Sequence, residues 1–479
     1  MKMNQKLLRR DFLKTTGVLV TGAALATSLG ISRSAHAAGN DEMRVVLIGC
    51  GGRGGGAIRD RLQVGDNVKL VAVADAFEDR AVGLANALRN EEQLKNNVDL
   101  PAERVFFGPL AYLKAMECLR PGDQIVDASP PGFRPIHYSV AVERGLHCFL
   151  EKPCCSDAAG FRLLMKTNKL ADEKNLKVCV GLQRHYDPNY IHWMEQVQEG
   201  RIGEPSFSHV YWNRDSYWFR RREPGESELQ YQMRNWLHFT RFSGDNISEQ
   251  NIHNIDIGLW FHGKGDPMVH PTIANAMGGR TFRAGPEDLM KEAPSFYEDR
   301  KAWDAWYEKN KDSFNRYGHV WDHFFVEFTF ADESKMFAQS RQINNVWYFV
   351  NEYIVGTKGY GTPGRLLGPD RNVIWQNREK LPKGPFQWEH DCHVKAVREN
   401  TPFNNGYYGA MSSMTAVFGR EAAYSGQMIF WDDAVNKGVQ IMPTEGYSSF
   451  DQEPPIKPDA NGFYESSVPV PGVYQPFAT

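Results

Sequence analysis

Cysteine is scarce in this chain: seven in 479 residues, at positions 50, 118, 148, 154, 155, 179 and 392. No two stand in a CxxC pair and their density is low, which excludes zinc ribbons and disulfide-stapled mini-folds. An excess of positive charge is also lacking. Lys plus Arg total 55 against 58 Asp plus Glu, a net charge of −3, so generic nucleic-acid binding is not expected. Crossing a bilayer takes about 20 predominantly apolar residues. The N-terminal apolar run at 17–29 is shorter than that and diluted with Gly and Thr, so no membrane anchor is expected. What remains is 42% hydrophobic and 24% charged, the balance of a globular protein rather than a disordered or fibrous one. On length it holds roughly three average domains, or fewer large ones.

Residues 1–37 read as an address. Arg9 and Arg10 precede the apolar run, and Ala35-His36-Ala37 offers small residues for cleavage. This is the pattern of a twin-arginine export signal, and no cysteine directly follows it to carry a lipid. The expectation is passage through the twin-arginine translocase, already folded, to the periplasm or another extracytoplasmic compartment. The odd number of cysteines, mostly in apolar runs, fits free thiols acquired during folding in a reducing compartment.

Beyond residue 38 the pattern is that of an α/β protein. Arg44-Val45-Val46-Leu47-Ile48 is an unbroken apolar run of the kind buried on both faces of a parallel sheet. Gly49-Cys50-Gly51-Gly52-Arg53-Gly54 follows at once, a G-x-G-x-x-G loop. The first glycine permits a tight turn, the second lets a pyrophosphate approach the backbone, and the third lets helix and strand pack closely. Free N–H groups at the start of the following helix face the anion. A second buried run, 68–74, ends in Asp75, 21 residues after Gly54. A carboxylate there accepts hydrogen bonds from both ribose hydroxyls of an adenosine and repels a 2′-phosphate, so NAD is expected in preference to NADP. Further strands are expected near 104–107, 124–128, 147–150 and 177–181, with helices between them, making a doubly wound Rossmann sheet. Ser129 and Pro130 fall at its ligand-binding edge.

After the fifth strand comes Glu151-Lys152-Pro153, where a lysine at a strand tip enters the crevice and the proline can take the cis peptide. With the glycine loop, Asp75, Ser129-Pro130-Pro131 and Val180-Gly181-Leu182-Gln183-Arg184, the chain here resembles the glucose-fructose oxidoreductase and inositol dehydrogenase superfamily. The resemblance implies coenzyme contacts from Gly49, Gly51, Gly52, Arg53, Gly54, Asp75, Ser129, Pro130, Glu151 and Lys152. It implies that Lys152 orients a substrate hydroxyl beside the nicotinamide and relays its proton. It further implies a second domain opening with a strand and then a helix carrying an acid and a histidine four residues apart on one face. Here these are Glu249, in place of the usual Asp, and His253. Asp256 is expected to be a supporting acid, and Arg184 and Trp236 are candidate sugar contacts.

The second half supplies a strand at 206–212 and aromatic clusters around Tyr217-Trp218-Phe219 and Asn235-Trp236, suited either to sugar stacking or to packing. From about Phe324 the pattern becomes period-two, at 324–330, 335–342 and 347–355, as in an open, mostly antiparallel sheet. His390 and His393 hint at a metal, but without a second ligand pair a helix through Arg398 explains them better, so no metal is expected. The domains expected are 38–185 for NAD binding and 186–450 as a substrate and oligomerisation α+β domain. A helix near 408–428 packs back on the first domain, 280–320 is a surface insertion, and 451–479 is an extended arm that either wraps a subunit or is mobile. The function expected is an exported sugar or polyol oxidoreductase, a homo-oligomer, with tightly bound NAD recycled between two sugars. Two alternatives stand beside it. One is an NAD-dependent glycosidase working through transient C3 oxidation. The other is a non-catalytic sugar sensor on the same fold.

Overall fold

The computed structural model describes residues 42–65, 67–280, 287–295, 298–310, 318–379, 383–460 and 462–477; the expected export signal lies outside them. Among the described residues fifteen strands form two sheets. The first holds β1 (Met43–Ile48), β2 (Val68–Asp75), β3 (Val105–Phe107), β4 (Gln124–Asp127), β5 (His147–Leu150) and β6 (Val178–Val180). All are parallel, in the order β3-β2-β1-β4-β5-β6. Successive side chains of β1 point to opposite faces. Val45 and Leu47 join one buried cluster with Ala57 and Leu62, while Val46 and Ile48 join another with Tyr138 and Ala141. Burial on both faces is why the strand is apolar without alternation. The strand order reverses beside β1, so a crevice opens at the carboxyl ends of β1 and β4.

The helix Pro385–Glu399 also belongs to this layer, since Val394 and Val397 pack with Val45 and Leu47. Its two histidines hold an arginine. Fully buried Arg61 donates from Nε to His390 Nδ1 at 3.1 Å and from Nη1 to Gln124 Oε1 at 2.6 Å, and its Nη2 lies 2.8 Å from His393 Nδ1. Burial, and then the charge of Arg61, holds both histidines well below their usual range, and burial lowers Arg61 itself to about 10.

The second sheet is mixed and mostly antiparallel. It holds β7 (Pro205–Arg214), β8 (Ile273–Gly279), β9 (His323–Thr329), β10 (Lys335–Gln342), β11 (Phe349–Gly356), β12 (Gly359–Thr362), β13 (Arg365–Leu367), β14 (Val373–Gln376) and β15 (Ile429–Phe430). The order is β14-β13-β12-β11-β7-β10-β9-β8-β15, with β7 and β10 the parallel pair. Burial alternates residue by residue along β10, so one face rests on the core and the other lies open. The helices Ile252–Gly263 and Gly406–Ser425 cover the inner face. The latter is buried on nearly all sides, between the second sheet and the helix Ala158–Glu173 of the first layer. One continuous cluster therefore runs from Ile48 through Met414 and Phe418 to Val326 and Phe328.

Within 280–320 the described residues include two helices, Glu287–Lys291 and Arg300–Asn310. The irregular tail packs on the chain at several points along its described length. Tyr464 is buried against Phe239, Pro469 accepts from Trp321 Nε1 at 3.2 Å, and Tyr474 donates to Glu421 at 2.8 Å. The expected arm thus wraps its own chain.

Candidate active site

The glycine loop joins β1 to the helix Gly52–Leu62. Gly49 has φ +89°, and a Cβ on Gly54 would overlap the Gly49 carbonyl oxygen, so both positions require glycine for the fold itself. Gly51 and Gly52 are different. A Cβ on Gly52 meets nothing within 4 Å, and one on Gly51 meets only Arg80 Nη1, at 3.9 Å. The helix start has no side-chain cap and no acid in its first turn, which leaves its N–H groups available to an anion. Asp75 closes the loop by accepting the Cys50 N–H at 2.7 Å and the Phe77 N–H at 2.9 Å. Burial raises its pKa, while those two N–H groups oppose the rise. The cleft these residues line is open to solvent, has a volume of about 240 Å³ and extends past Ser129 and Pro130. An open glycine cradle, an uncapped helix start and a carboxylate at the tip of β2 fit an adenine dinucleotide.

At the tip of β5 the Lys152–Pro153 peptide is cis. Lys152 Nζ donates to the Glu249 backbone carbonyl at 2.6 Å and to Glu249 Oε1 at 3.3 Å. This changes the expected helix. Glu249 and His253 do not share one: Glu249 ends the short helix Asn246–Glu249, and His253 lies in the first turn of Ile252–Gly263. The Glu249 carbonyl serves Lys152, and the His253 N–H turns to Gln250 O at 3.4 Å. Lysine, acid and histidine still converge. His253 sits in the field of Lys152, its ring 5.6 Å from the Trp212 ring. Burial, followed by the charges of Lys152, Arg184 and Arg53, holds the imidazole well below its usual range and so neutral. Burial raises Glu249, with Lys152 opposing. Glu249 Oε2 and His253 Nδ1 are buried without a hydrogen-bond partner in the chain. Two orphaned polar atoms therefore lie beside the lysine, and buried polar atoms are normally paired.

Other expected contacts find different partners. Glu151 is buried and turns its carboxylate to Arg53, which also reaches Glu389 at 3.5 Å. Ser129 lines the cleft, but its hydroxyl donates to Asp127 at 2.6 Å, and Asp127 also meets His137 Nδ1 at 3.1 Å. Arg184 has partners within the chain. It pairs with buried Glu352 and donates to the His253 backbone carbonyl at 2.9 Å, bracing the helix that carries the histidine. Trp236 lines the cleft beside the glycine loop together with Trp218. Phe219 is fully buried packing. Asp256 is the supporting acid, accepting from Ser412 Oγ and meeting His185 Nε2, both at 2.8 Å. Sequence reasoning missed Glu352, Asp127 and Glu389, because a lone carboxylate in a strand or helix carries no local mark of its partner.

No family model matches the chain. It is 24% identical over 224 residues to inositol 2-dehydrogenase of Rhizobium meliloti (strain 1021), covering 47% of this chain and 56% of that enzyme. A glycosyl hydrolase family 109 protein of Solibacter usitatus (strain Ellin6076) is 27% identical over 221 residues, covering 44% of this chain and 47% of that protein. The chain spans between 30% and 60% of the length of the inositol dehydrogenases it matches. Among solved structures, scyllo-inositol dehydrogenase of Lactobacillus casei with bound NAD(H) and scyllo-inositol superposes with a TM-score of 0.54 at 16% identity. That match covers 82% of this chain and all of the other, and it shows that the two share a fold. The similarities support the resemblance to the glucose-fructose oxidoreductase and inositol dehydrogenase superfamily.

Proposed function

We propose that this chain is an NAD-dependent oxidoreductase that moves a hydride between a CH–OH carbon of a carbohydrate or polyol and nicotinamide. The observation that carries the reading is Lys152, held by Glu249 beside the orphaned Glu249 Oε2 and His253 Nδ1, on the edge of the sheet that bears the glycine cradle. The glycine loop and Asp75 would hold the coenzyme, which when bound supplies the hydride acceptor. The chain's own groups then act on the proton. Lys152 Nζ orients the substrate hydroxyl and takes part in moving its proton, and Glu249 adjoins that nitrogen as the next acceptor. Neutral His253 accepts a second hydroxyl at Nδ1 and fixes the ring against Trp212. Burial excludes water and keeps these contacts strong.

Asp75 supports NAD over NADP, and the Arg9-Arg10 pattern supports export by the twin-arginine route. Subunit pairing through the open sheet face completes the reading. A sugar and polyol panel followed at the nicotinamide absorbance with NAD+ tests it. Reduction of NAD+ by at least one substrate is expected, and failure across cyclic polyols and aldoses would sink the proposal. The likeness to the family 109 protein favours one second reading, an NAD-dependent glycosidase. Release of nitrophenol from a nitrophenyl glycoside, with no net change in the nicotinamide, would select it.

A further inference from the structure

The dinucleotide cleft has a wall that the parallel sheet does not supply. Residues 218–236 belong to the second domain, yet Trp218, Met233, Arg234 and Trp236 line the cleft together with Asp75 and Phe77. Asp75 marks the ribose of the adenosine half. Lys152 follows β5, three strands away from β2 in the sheet order, so Arg234, stacked over Phe77, sits at the end of the cleft remote from the proposed chemistry. An ion pair fastens the wall. Arg234 donates to the two Asp79 carboxylate oxygens at 2.9 and 3.2 Å, and its Nε lies 3.2 Å from Glu226. Its guanidinium also stacks over the Phe77 ring at 4.1 Å, and Phe77 stacks on Phe450, with ring centroids 5.5 Å apart. With its charge matched by two carboxylates, Arg234 serves as a fastener rather than as a phosphate ligand. The half-buried indole of Trp236 offers a flat apolar surface to a purine.

We infer that residues 218–236 form an adenosine-binding roof, in which Trp236 faces the adenine and the Arg234–Asp79 pair is a latch that slows coenzyme release. The inference rests on the dinucleotide reading above and deepens it, because it gives a physical reason for a coenzyme that stays with the protein. Leaving the cleft requires the second domain's segment to lift from Phe77 and Asp79.

Calorimetric titration of the full chain with ADP-ribose and NAD+, together with stopped-flow displacement of bound NADH, tests the roof and its latch. Replacing Trp236→Ala removes an aromatic contact and should weaken ADP-ribose about 10-fold. Asp79 is exposed at the rim, so Asp79→Asn keeps the fold while loosening the latch, and should speed NADH release several-fold. Wild-type ADP-ribose affinity in Trp236→Ala, or wild-type release in Asp79→Asn, would overturn the inference while leaving the dinucleotide reading intact. Absence of NAD+ and ADP-ribose binding by the wild-type chain would instead remove the reading, and the roof with it.

Discussion

Two glycines of one loop should fail in opposite ways when each gains a single methyl. At position 54 the new Cβ overlaps the Gly49 carbonyl oxygen, and that oxygen has nowhere to go. The Gly49 N–H is bonded to Ala74 O at 2.8 Å and the Gly55 N–H to Gly51 O at 2.9 Å, so β1 and the helix are tied on both sides of the clash. Overpacking of this kind costs about 1–3 kcal/mol, and at roughly 2–4 °C per kcal/mol the apo protein should lose several degrees of Tm. Gly51→Ala should leave apo Tm within about 1 °C, since surface-type changes without a clash stay within about 0.5 kcal/mol. Yet its methyl occupies the space through which a pyrophosphate would approach. Loss of one charge-assisted hydrogen bond, about 1.5–3 kcal/mol, should weaken NAD+ binding some 10- to 100-fold. Differential scanning fluorimetry without coenzyme and calorimetric titration with it separate the two effects. Wild-type NAD+ affinity in Gly51→Ala, or an unchanged apo Tm in Gly54→Ala, would refute the assignment of one glycine to the ligand and the other to the fold.

Three further outcomes are expected. Lys152→Met, which keeps length and removes the ammonium, should lower kcat about 10²- to 10⁴-fold in initial-rate assays, with a smaller effect on the sugar KM; turnover within a few-fold of wild type would contradict its role. Phe418 is fully buried between the Phe328 and Trp431 rings at 6.2 and 5.5 Å, so Phe418→Ala should cost about 3–5 kcal/mol in denaturant unfolding. Burial holds His262 down to about 3, with Asp332 opposing, so its contribution to stability is complete above pH 6.5 and is lost as pH falls from there toward 3. His262→Gln should therefore shrink the stability difference between pH 7 and pH 5 by roughly 2 kcal/mol; an unchanged difference would mean that the ring takes up its proton in the folded state.

The strand, glycine loop and acid of the first sheet were legible because each is a local pattern with a local cause. An apolar run without alternation means burial on both faces, and Asp75 follows its strand directly. The helix break between Glu249 and His253 was not legible, because the group that takes the Glu249 carbonyl, Lys152, lies 97 residues away. The pairing of Arg184 was hidden for the same reason, since its partner Glu352 is 168 residues distant. The spacing of His390 and His393 offered no second pair of metal ligands. Their partner, Arg61, emerged only when the helix Pro385–Glu399 was seen on the first layer.

Local order along the chain therefore determined the parallel sheet and its glycine turn, because hydrophobic period and glycine geometry act over a few residues. Tertiary structure alone decided which charges are matched and which polar atoms are left open. It paired Arg184 with Glu352, set Trp236 in the wall of the cleft beside the glycine loop, and packed parts of the tail onto the chain. Charge pairing depends on where distant segments meet, and no periodicity in the sequence records that.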